Sequence, residues 1–81
     1  MHLHLGGQLS WYDSQKRAQI EIHLREPIAL RALLDQLGVP RAEIAIAALD
    51  GVAVEIENAI VHDEDRVDVY PPVGGGIFSA K

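Results

Sequence analysis

Three stretches of the chain alternate polar and apolar residues, the pattern of a β-strand with one buried face. Residues 2–5 alternate until Gly6-Gly7 interrupts them, which predicts a short strand that bends or bulges there. Residues 19–24 (QIEIHL) and 66–70 (RVDVY) alternate in the same way. We therefore expect three half-buried strands, the first two forming an antiparallel pair, with inward side chains at Ile20, Ile22, Leu24, Val67 and Val69.

Between these strands the period changes to that of a helix. Four leucines fall at i, i+3, i+4 and i+7, which is one apolar stripe of an amphipathic helix. Pro27 suits a first helical turn, Gly38 suits a left-handed end, and Pro40 forbids continuation. The sequence predicts a helix over residues 27–37 that buries Leu30, Leu33, Leu34 and Leu37.

The second half of the chain predicts further short elements. After a turn at residues 41–43, residues 44–49 and 52–56 read as two strands joined by the tight-turn dipeptide Asp50-Gly51. Residues 57–65 read as a connection with Ile60 buried, and Pro71-Pro72 ends the last strand. Near the N-terminus, we expect Leu9, Trp11 and Tyr12 to cover one end of the core and Asp13-Ser14 to form a polar turn.

The element order β-β-α-β-β-β fits one small α+β domain over residues 1–72, in which a mixed sheet of four to five strands packs on one main helix. If the last strand lies parallel to the first in the middle of the sheet, residues 73–81 project from the body of the fold as a flexible, glycine-rich tail. The tail carries the only glycine run longer than two residues.

Composition excludes several functions. The 81 residues contain no cysteine, so disulfides, thiolate nucleophiles and Cys-ligated zinc are excluded. A net charge of −5 argues against binding nucleic acid, and no stretch is apolar enough for a membrane span or a secretion signal, which predicts a cytoplasmic protein. Residues 50–76 hold seven acids and only one base, Arg66, which indicates either a face that attracts a basic partner or a solubilising face.

The side chains that could carry chemistry form no catalytic pattern. His2, His4, Glu21 and His23 could share one exposed sheet face, but their spacing does not force them together, and we expect no bound metal. The serines lie outside any nucleophile motif, and Gly74-Gly75-Gly76 lacks the Lys-Ser/Thr of a phosphate-binding loop. The sequence therefore predicts a protein that is not an enzyme.

The string DRVDVYPPVGGG, together with Leu-Gly-Val-Pro after the helix and Asp-Gly in the hairpin, resembles the MoaD/ThiS sulfur carriers. These comprise the small subunit of molybdopterin synthase and the sulfur carrier of thiazole synthesis. The resemblance extends over residues 1–76 and implies a ubiquitin-like β-grasp fold.

The resemblance also implies a carrier role. In this family an E1-like adenylating enzyme uses ATP to activate a C-terminal glycine carboxylate, which becomes a thiocarboxylate and delivers sulfur to a partner. The acceptor is the large subunit of molybdopterin synthase or thiazole synthase. Aligning the proline pair and the diglycine assigns the sulfur attachment to Gly76 after Gly75. The carrier itself binds no cofactor.

The residues before Gly76 suit delivery into a partner's active site. Pro71 and Pro72 give a stiff, extended exit, and Gly74 and Gly75 let a narrow backbone pass close to a channel wall. With Val73 between them, these residues are predicted to thread into the partner. A merely frayed terminus is the alternative.

Two features depart from the family pattern. Asp63-Glu64-Asp65 stands where the family has Asp-Gly-Asp, so this loop is expected to differ in shape. Residues 77–81 follow the diglycine, so the Gly76 carboxylate is locked in a peptide bond with Ile77. We expect a deubiquitinase-like metalloprotease to cleave between Gly76 and Ile77.

Four other outcomes stay open. In the first, residues 77–81 permanently prevent activation of the carrier. In the second, Ile77 and Phe78 fold back and cover an apolar surface. In the third, the protein is a ubiquitin-like interaction domain whose tail is never activated. In the fourth, it is a protein modifier that is joined to lysines through Gly76.

Overall fold

The computed structural model describes residues 1–72, which form one main helix and seven short strands. The helix α1 spans Leu30–Leu37, and 3-10 turns lie at Gly7–Tyr12, Arg41–Glu43 and Ile56–Asn58. The strands are β1 (His2–Leu5), β2 (Gln19–Glu21), β3 (Ile28–Ala29), β4 (Ile46–Leu49), β5 (Val52–Val54), β6 (Ile60–Val61) and β7 (Arg66–Tyr70). Among the described residues, no helix could cross a membrane.

Five strands form a mixed sheet in the order β2-β1-β7-β4-β5. The last strand, β7, lies in the middle and pairs parallel with β1, from His2 opposite Arg66 to Leu5 opposite Val69. On its other side β7 pairs antiparallel with β4. The predicted mixed sheet, the antiparallel pair β1–β2 and the parallel pairing of the first and last strands are confirmed.

The core lies between the sheet and α1. The inward side chains of β1 and β7 are almost fully buried, as the alternation predicted, and three of the four leucines of the helical stripe are buried against them. Leu37, the fourth, is half-buried at the edge of the cluster. The buried apolar side chains at the centre are Leu3, Leu5, Leu9, Leu30, Leu34, Val39, Val61, Val67 and Val69.

The predicted helix start was wrong. Residues 27–29 are not helical, because Ile28 and Ala29 pair with Val61 and Ile60 in a two-stranded sheet. Ala29 is extended, with φ −63° and ψ 134°, and the Leu30 N–H donates to the Ala59 carbonyl at 2.9 Å. The predicted end was right, since Gly38 is left-handed with φ +81°.

Three other strands are shorter than predicted. β2 ends at Glu21, β4 begins at Ile46 and β5 ends at Val54. Residues outside these limits still pack inward, because Ile44 and Ile56 are buried at the ends of 3-10 turns. Of the inward side chains predicted for the second strand, Ile20 is buried, whereas Ile22 and Leu24, beyond the end of β2, are half-buried.

The connection predicted over residues 57–65 contains a 3-10 turn and β6. Within it Val61 is fully buried, whereas Ile60, predicted to be buried, is 48% exposed. The pairing of β6 with β3 is the reason, because it turns Val61 toward the core and Ile60 outward.

The predicted hairpin turn at Asp50-Gly51 is confirmed. Asp50 has φ +50° and Gly51 φ +85°, the left-handed pair that a two-residue hairpin needs. By contrast, residues 63–65 turn without any positive φ, so Glu64 fits where the family pattern has glycine. The Asp65 side chain accepts a hydrogen bond from the His62 N–H at 2.8 Å and closes that turn.

The aromatic cover predicted at the N-terminal end of the core was wrong for Trp11, which is 71% exposed. A 3-10 helix has three residues per turn, so only one side of Gly7–Tyr12 faces inward. Leu9 is buried on that side. Tyr12, one turn later on the same side, lies at the end of the 3-10 helix and is 40% exposed.

The Asp13 carboxylate holds the loop that follows. This buried side chain accepts the backbone N–H groups of Gln15 and Arg17 at 3.1 and 2.9 Å. It also accepts Nε and Nη2 of Arg17 at 2.9 and 3.1 Å. The hydrogen bonds from the Arg17 guanidinium hold the pKa of Asp13 well below its usual range.

Folding also lowers the pKa of two other carboxyl groups. The guanidinium of Arg41 lowers the pKa of Glu57, and the backbone N–H of Leu24 lowers the pKa of Asp63. A group whose pKa is lowered by folding stabilises the protein above its unfolded pKa, and this contribution is lost as the pH falls through the folded pKa.

We predict that the protein loses stability progressively as the pH falls from about 5 toward 2, because these three carboxyl groups bind protons in the unfolded chain at pH values at which they are still ionised in the folded protein. The variant Asp13→Asn should have a lower Tm at pH 7 and a shallower fall of Tm with acid. Exposed Glu64→Gln is the control. Thermal unfolding followed by circular dichroism measures both, and equal slopes for the Asp13 variant and the parent would contradict the assignment.

Candidate functional site

The residues at the end of β7 are anchored on both sides. The Val69 carbonyl accepts the Gly6 N–H at 2.8 Å, and the Tyr70 carbonyl accepts the Ala45 N–H at 2.8 Å. Because β7 lies at the centre of the sheet, its last residue has a neighbouring chain segment on either side. The body of the fold therefore holds the backbone firmly up to Tyr70.

Pro71 and Pro72 follow directly. Pro71 is half-buried and Pro72 is exposed, and neither belongs to a strand. A proline has no N–H to donate, so the sheet pairing ends here as predicted. The other predicted tail residues, Val73, Gly74, Gly75, Gly76 and Ile77, lie outside the described residues, and so does the predicted flexible tail of residues 73–81.

An exposed apolar pair lies beside this exit. Tyr70 and Ile46 are opposite each other on β7 and β4, on the outer face of the sheet. Their exposed fractions are 40% and 54%. Within residues 1–72 no helix covers this face, so both side chains are accessible at the surface.

One step further into the sheet lies a carboxylate that is poorly satisfied. Asp68 is only 7% exposed, although it lies on the outer face of β7. His4 Nδ1 lies 3.3 Å from Asp68 Oδ1, and Arg66 Nε lies 3.5 Å from Oδ2. Within residues 1–72, no group donates a well-formed hydrogen bond to Oδ1.

The histidines are distributed over separate partners. His2 contacts Gln19 at 2.7 Å and Glu21 at 3.3 Å across the β1–β2 pair, so the predicted proximity of His2 and Glu21 is confirmed. His4 contacts Asp68 instead, and His23 Nδ1 lies 3.5 Å from Asp63 Oδ1. In the described part of the chain, no three of these side chains are arranged to hold a metal ion.

Most acids of the second half have partners within the fold. Asp50 accepts the Arg66 N–H at 2.9 Å, and Asp63 accepts the Leu24 N–H at 2.8 Å. Glu57 Oε2 lies 2.6 Å from Arg41 Nε. These carboxylates therefore fix loops and strand ends, a role that neither interpretation of the acidic segment anticipated.

Sequence reasoning found the prolines at the exit but missed the surroundings of Tyr70. Gly6 and Gly7 were predicted only to bend or bulge the first strand, whereas the strand ends at Leu5 and a 3-10 turn begins at Gly7. The parallel register of β1 and β7 also places Gly6 beside Tyr70 and Gly7 beside Pro71. The predicted pairing of the last strand with the first was the sequence signal for this contact. It identifies the residues in contact only once the register of the two strands is known.

We predict that Asp68→Val raises the free energy of unfolding by about 1 kcal/mol, because a buried carboxylate oxygen without a hydrogen bond is replaced by a β-branched apolar side chain. Urea unfolding at pH 7 measures the change. Glu64→Val, at an exposed position, is the matched control and should change stability little. A loss of stability in the Asp68 variant would show that the carboxylate is well paired.

The sequence is similar to one known protein family over most of its length. The model of the ThiS family matches residues 11–76, which cover most of the chain and end at Gly76. No curated protein matches it. ThiS proteins are ubiquitin-like β-grasp domains, and the five-stranded sheet and main helix confirm that fold here. They are small sulfur carriers in cofactor biosynthesis rather than catalysts, and they work with an E1-like activating enzyme and a sulfur-acceptor enzyme. By this match the chain belongs to the ThiS family.

Proposed function

We propose that the protein carries sulfur as a thiocarboxylate on Gly76. Three observations support this. The family match ends at Gly76, the sheet holds the chain firmly up to Tyr70, and two prolines follow that anchor. The match is the observation that carries the proposal, because it joins this fold to the diglycine at the required distance.

The chemistry is carried out on the carrier by its partners. A Gly76 carboxylate oxygen attacks the α-phosphorus of ATP in the E1-like enzyme, pyrophosphate leaves, and an acyl adenylate forms. A sulfide nucleophile then attacks the carbonyl carbon and displaces AMP, leaving the thiocarboxylate. The carrier contributes a carboxylate and its position, and it binds no cofactor of its own.

The length of the tail limits how deep the partner's active site can lie. Six residues, 71–76, separate Tyr70 from the proposed sulfur site. A fully extended chain spans at most about 3.3–3.6 Å per residue, so Gly76 reaches at most about 22 Å beyond Tyr70. The partner must therefore bind close to the exposed Tyr70–Ile46 pair.

As translated, the chain cannot react, because the Gly76 carbonyl is bonded to the nitrogen of Ile77. We propose that a metalloprotease hydrolyses this bond before activation. Water adds across the bond, which leaves a carboxylate on Gly76 and releases residues 77–81 with a free amine on Ile77. The sulfur acceptor is then the large subunit of molybdopterin synthase or thiazole synthase, and the exchange takes place in the cytoplasm.

We predict that a chain ending at Gly76 gains one sulfur in place of one oxygen when incubated with its E1-like enzyme, ATP and a sulfur donor. Intact-mass spectrometry measures the change. The full-length chain and a chain ending at Gly75 are matched controls with the same folded body, and both should stay unmodified.

Other outcomes of this experiment identify other functions. Conjugates to lysines of other proteins would make the protein a modifier. If no activating partner forms an adenylate, the protein is an interaction domain rather than a carrier. Modification of the full-length chain would contradict the need for cleavage.

We also predict that the sulfur-competent protein isolated from its native cell ends at Gly76. Mass spectrometry of the C-terminal peptide measures this. An active pool that retains residues 77–81 would overturn the proposed maturation, because the Gly76 carbonyl would then still be an amide. Inactivating the cell's metalloprotease of the deubiquitinase class should make the longer form accumulate.

A further inference from the structure

Gly6 and Gly7 lie directly beside the start of the tail. In the parallel pairing of β1 and β7, Leu5 is opposite Val69. The next residues along the two strands are therefore Gly6 beside Tyr70 and Gly7 beside Pro71. The hydrogen bond from the Gly6 N–H to the Val69 carbonyl, 2.8 Å long, fixes this register at the end of the strands.

Neither glycine leaves room for a side chain. A Cβ built on Gly6 would lie 2.5 Å from Cδ1 of Tyr70, 3.0 Å from Cε1 and 3.0 Å from the Val69 carbonyl oxygen. A Cβ on Gly7 would lie 2.8 Å from Cγ of Pro71, and Gly7 has φ +53°. The two rings therefore pack directly on the glycine backbone.

Tyr70 is also held from other directions. The His4 ring meets the Tyr70 ring edge to face, with centroids 5.7 Å apart and planes at 72°. The Tyr70 carbonyl accepts the Ala45 N–H from the neighbouring strand segment. The exit residues are thus located by contacts on both sides of β7.

We propose that Gly6 and Gly7 form a seat for the Tyr70 and Pro71 rings that sets the direction in which the tail leaves the fold. They are then positioning residues for the Gly76 carboxylate, an assignment that rests on the proposed carrier function. When the tail is held extended in the partner's channel, a tilt of about 10° at its base displaces the end, about 22 Å away, by about 4 Å. Misplacement of a reacting atom by about 1 Å can cost about a hundredfold in rate.

The test compares three glycine variants in the chain ending at Gly76. Gly6→Ala and Gly7→Ala disturb the seat. Gly51→Ala is the matched control, because Gly51 also has a positive φ, +85°, but a Cβ there meets no atom within 4 Å. Adenylation by the E1-like enzyme is measured at a temperature where all variants are folded.

We expect both seat variants to lower kcat for adenylation about tenfold or more, with KM changed less than twofold, because the partner still binds the sheet face while the carboxylate is misplaced. Gly51→Ala strains a positive φ as Gly7→Ala does, but without the clash, and should keep the parent kcat. The proposed seat would be rejected if Gly51→Ala lost as much kcat as the seat variants. It would also be rejected if both seat variants kept the parent kcat.

A double variant tests the contact itself. Since the Gly6 Cβ would meet the Tyr70 ring, Gly6→Ala should cost less kcat in a Tyr70→Ala background than in the parent. Equal costs in the two backgrounds would show that the ring is not the obstacle.

A measurement without the partner separates this proposal from the proposed function. The Tyr70 ring should shift the Hα resonances of Gly6 in the NMR spectrum, and Tyr70→Leu should abolish the shift. If the parent chain is never adenylated, the carrier function fails even with the shift present. If the parent is adenylated but the shift is absent, the seat alone fails.

Discussion

The parallel pairing of β1 with β7 is the constraint on which the rest of the structure depends. It places the last strand at the centre of the sheet, where Val67 and Val69 are fully buried against the helix. Parallel neighbours run in the same direction, so β1 and β7 end at the same edge. The C-terminal segment consequently leaves beside Gly6 and Gly7, and the stability of the core is coupled directly to the position of the exit.

This coupling bears directly on the carrier function that we propose. In the function that we propose, the partner supplies ATP, the sulfur and the reacting groups, while the carrier supplies a carboxylate at a defined distance and direction from the exposed sheet face beside Tyr70. Order at the base of a short tail reduces the volume that its end explores, so less conformational entropy is lost when the end enters an active site. The acids of the second half mainly support this scaffold, since Asp50, Asp63 and Asp65 accept backbone N–H groups in loops and turns.

Sequence reasoning predicted those features that have a periodic or local cause. The alternation of residues 66–70 gave β7 its observed limits, and Gly38 and Asp50-Gly51 marked the helix end and the hairpin by their backbone preferences. Sequence reasoning failed where contacts between residues far apart in the chain determine the local structure. The pairing of Ile28–Ala29 with Ile60–Val61 delays the helix and exposes Ile60, and two-residue strands have no period to detect. The contact of Gly6 with Tyr70 likewise depends on a register between strands more than sixty residues apart.

The absence of cysteine provides a direct test of the central claim, because a thiocarboxylate would be the sole sulfur nucleophile of its class in the chain. The protein purified from its native cells can be treated with a thiol-selective alkylating reagent and mapped by fragmentation. The account predicts one alkyl group, attached at a C-terminal Gly76, and its loss after prior incubation with the sulfur-acceptor enzyme. A chain that takes up no alkyl group, in cells that are actively making the cofactor, would contradict it.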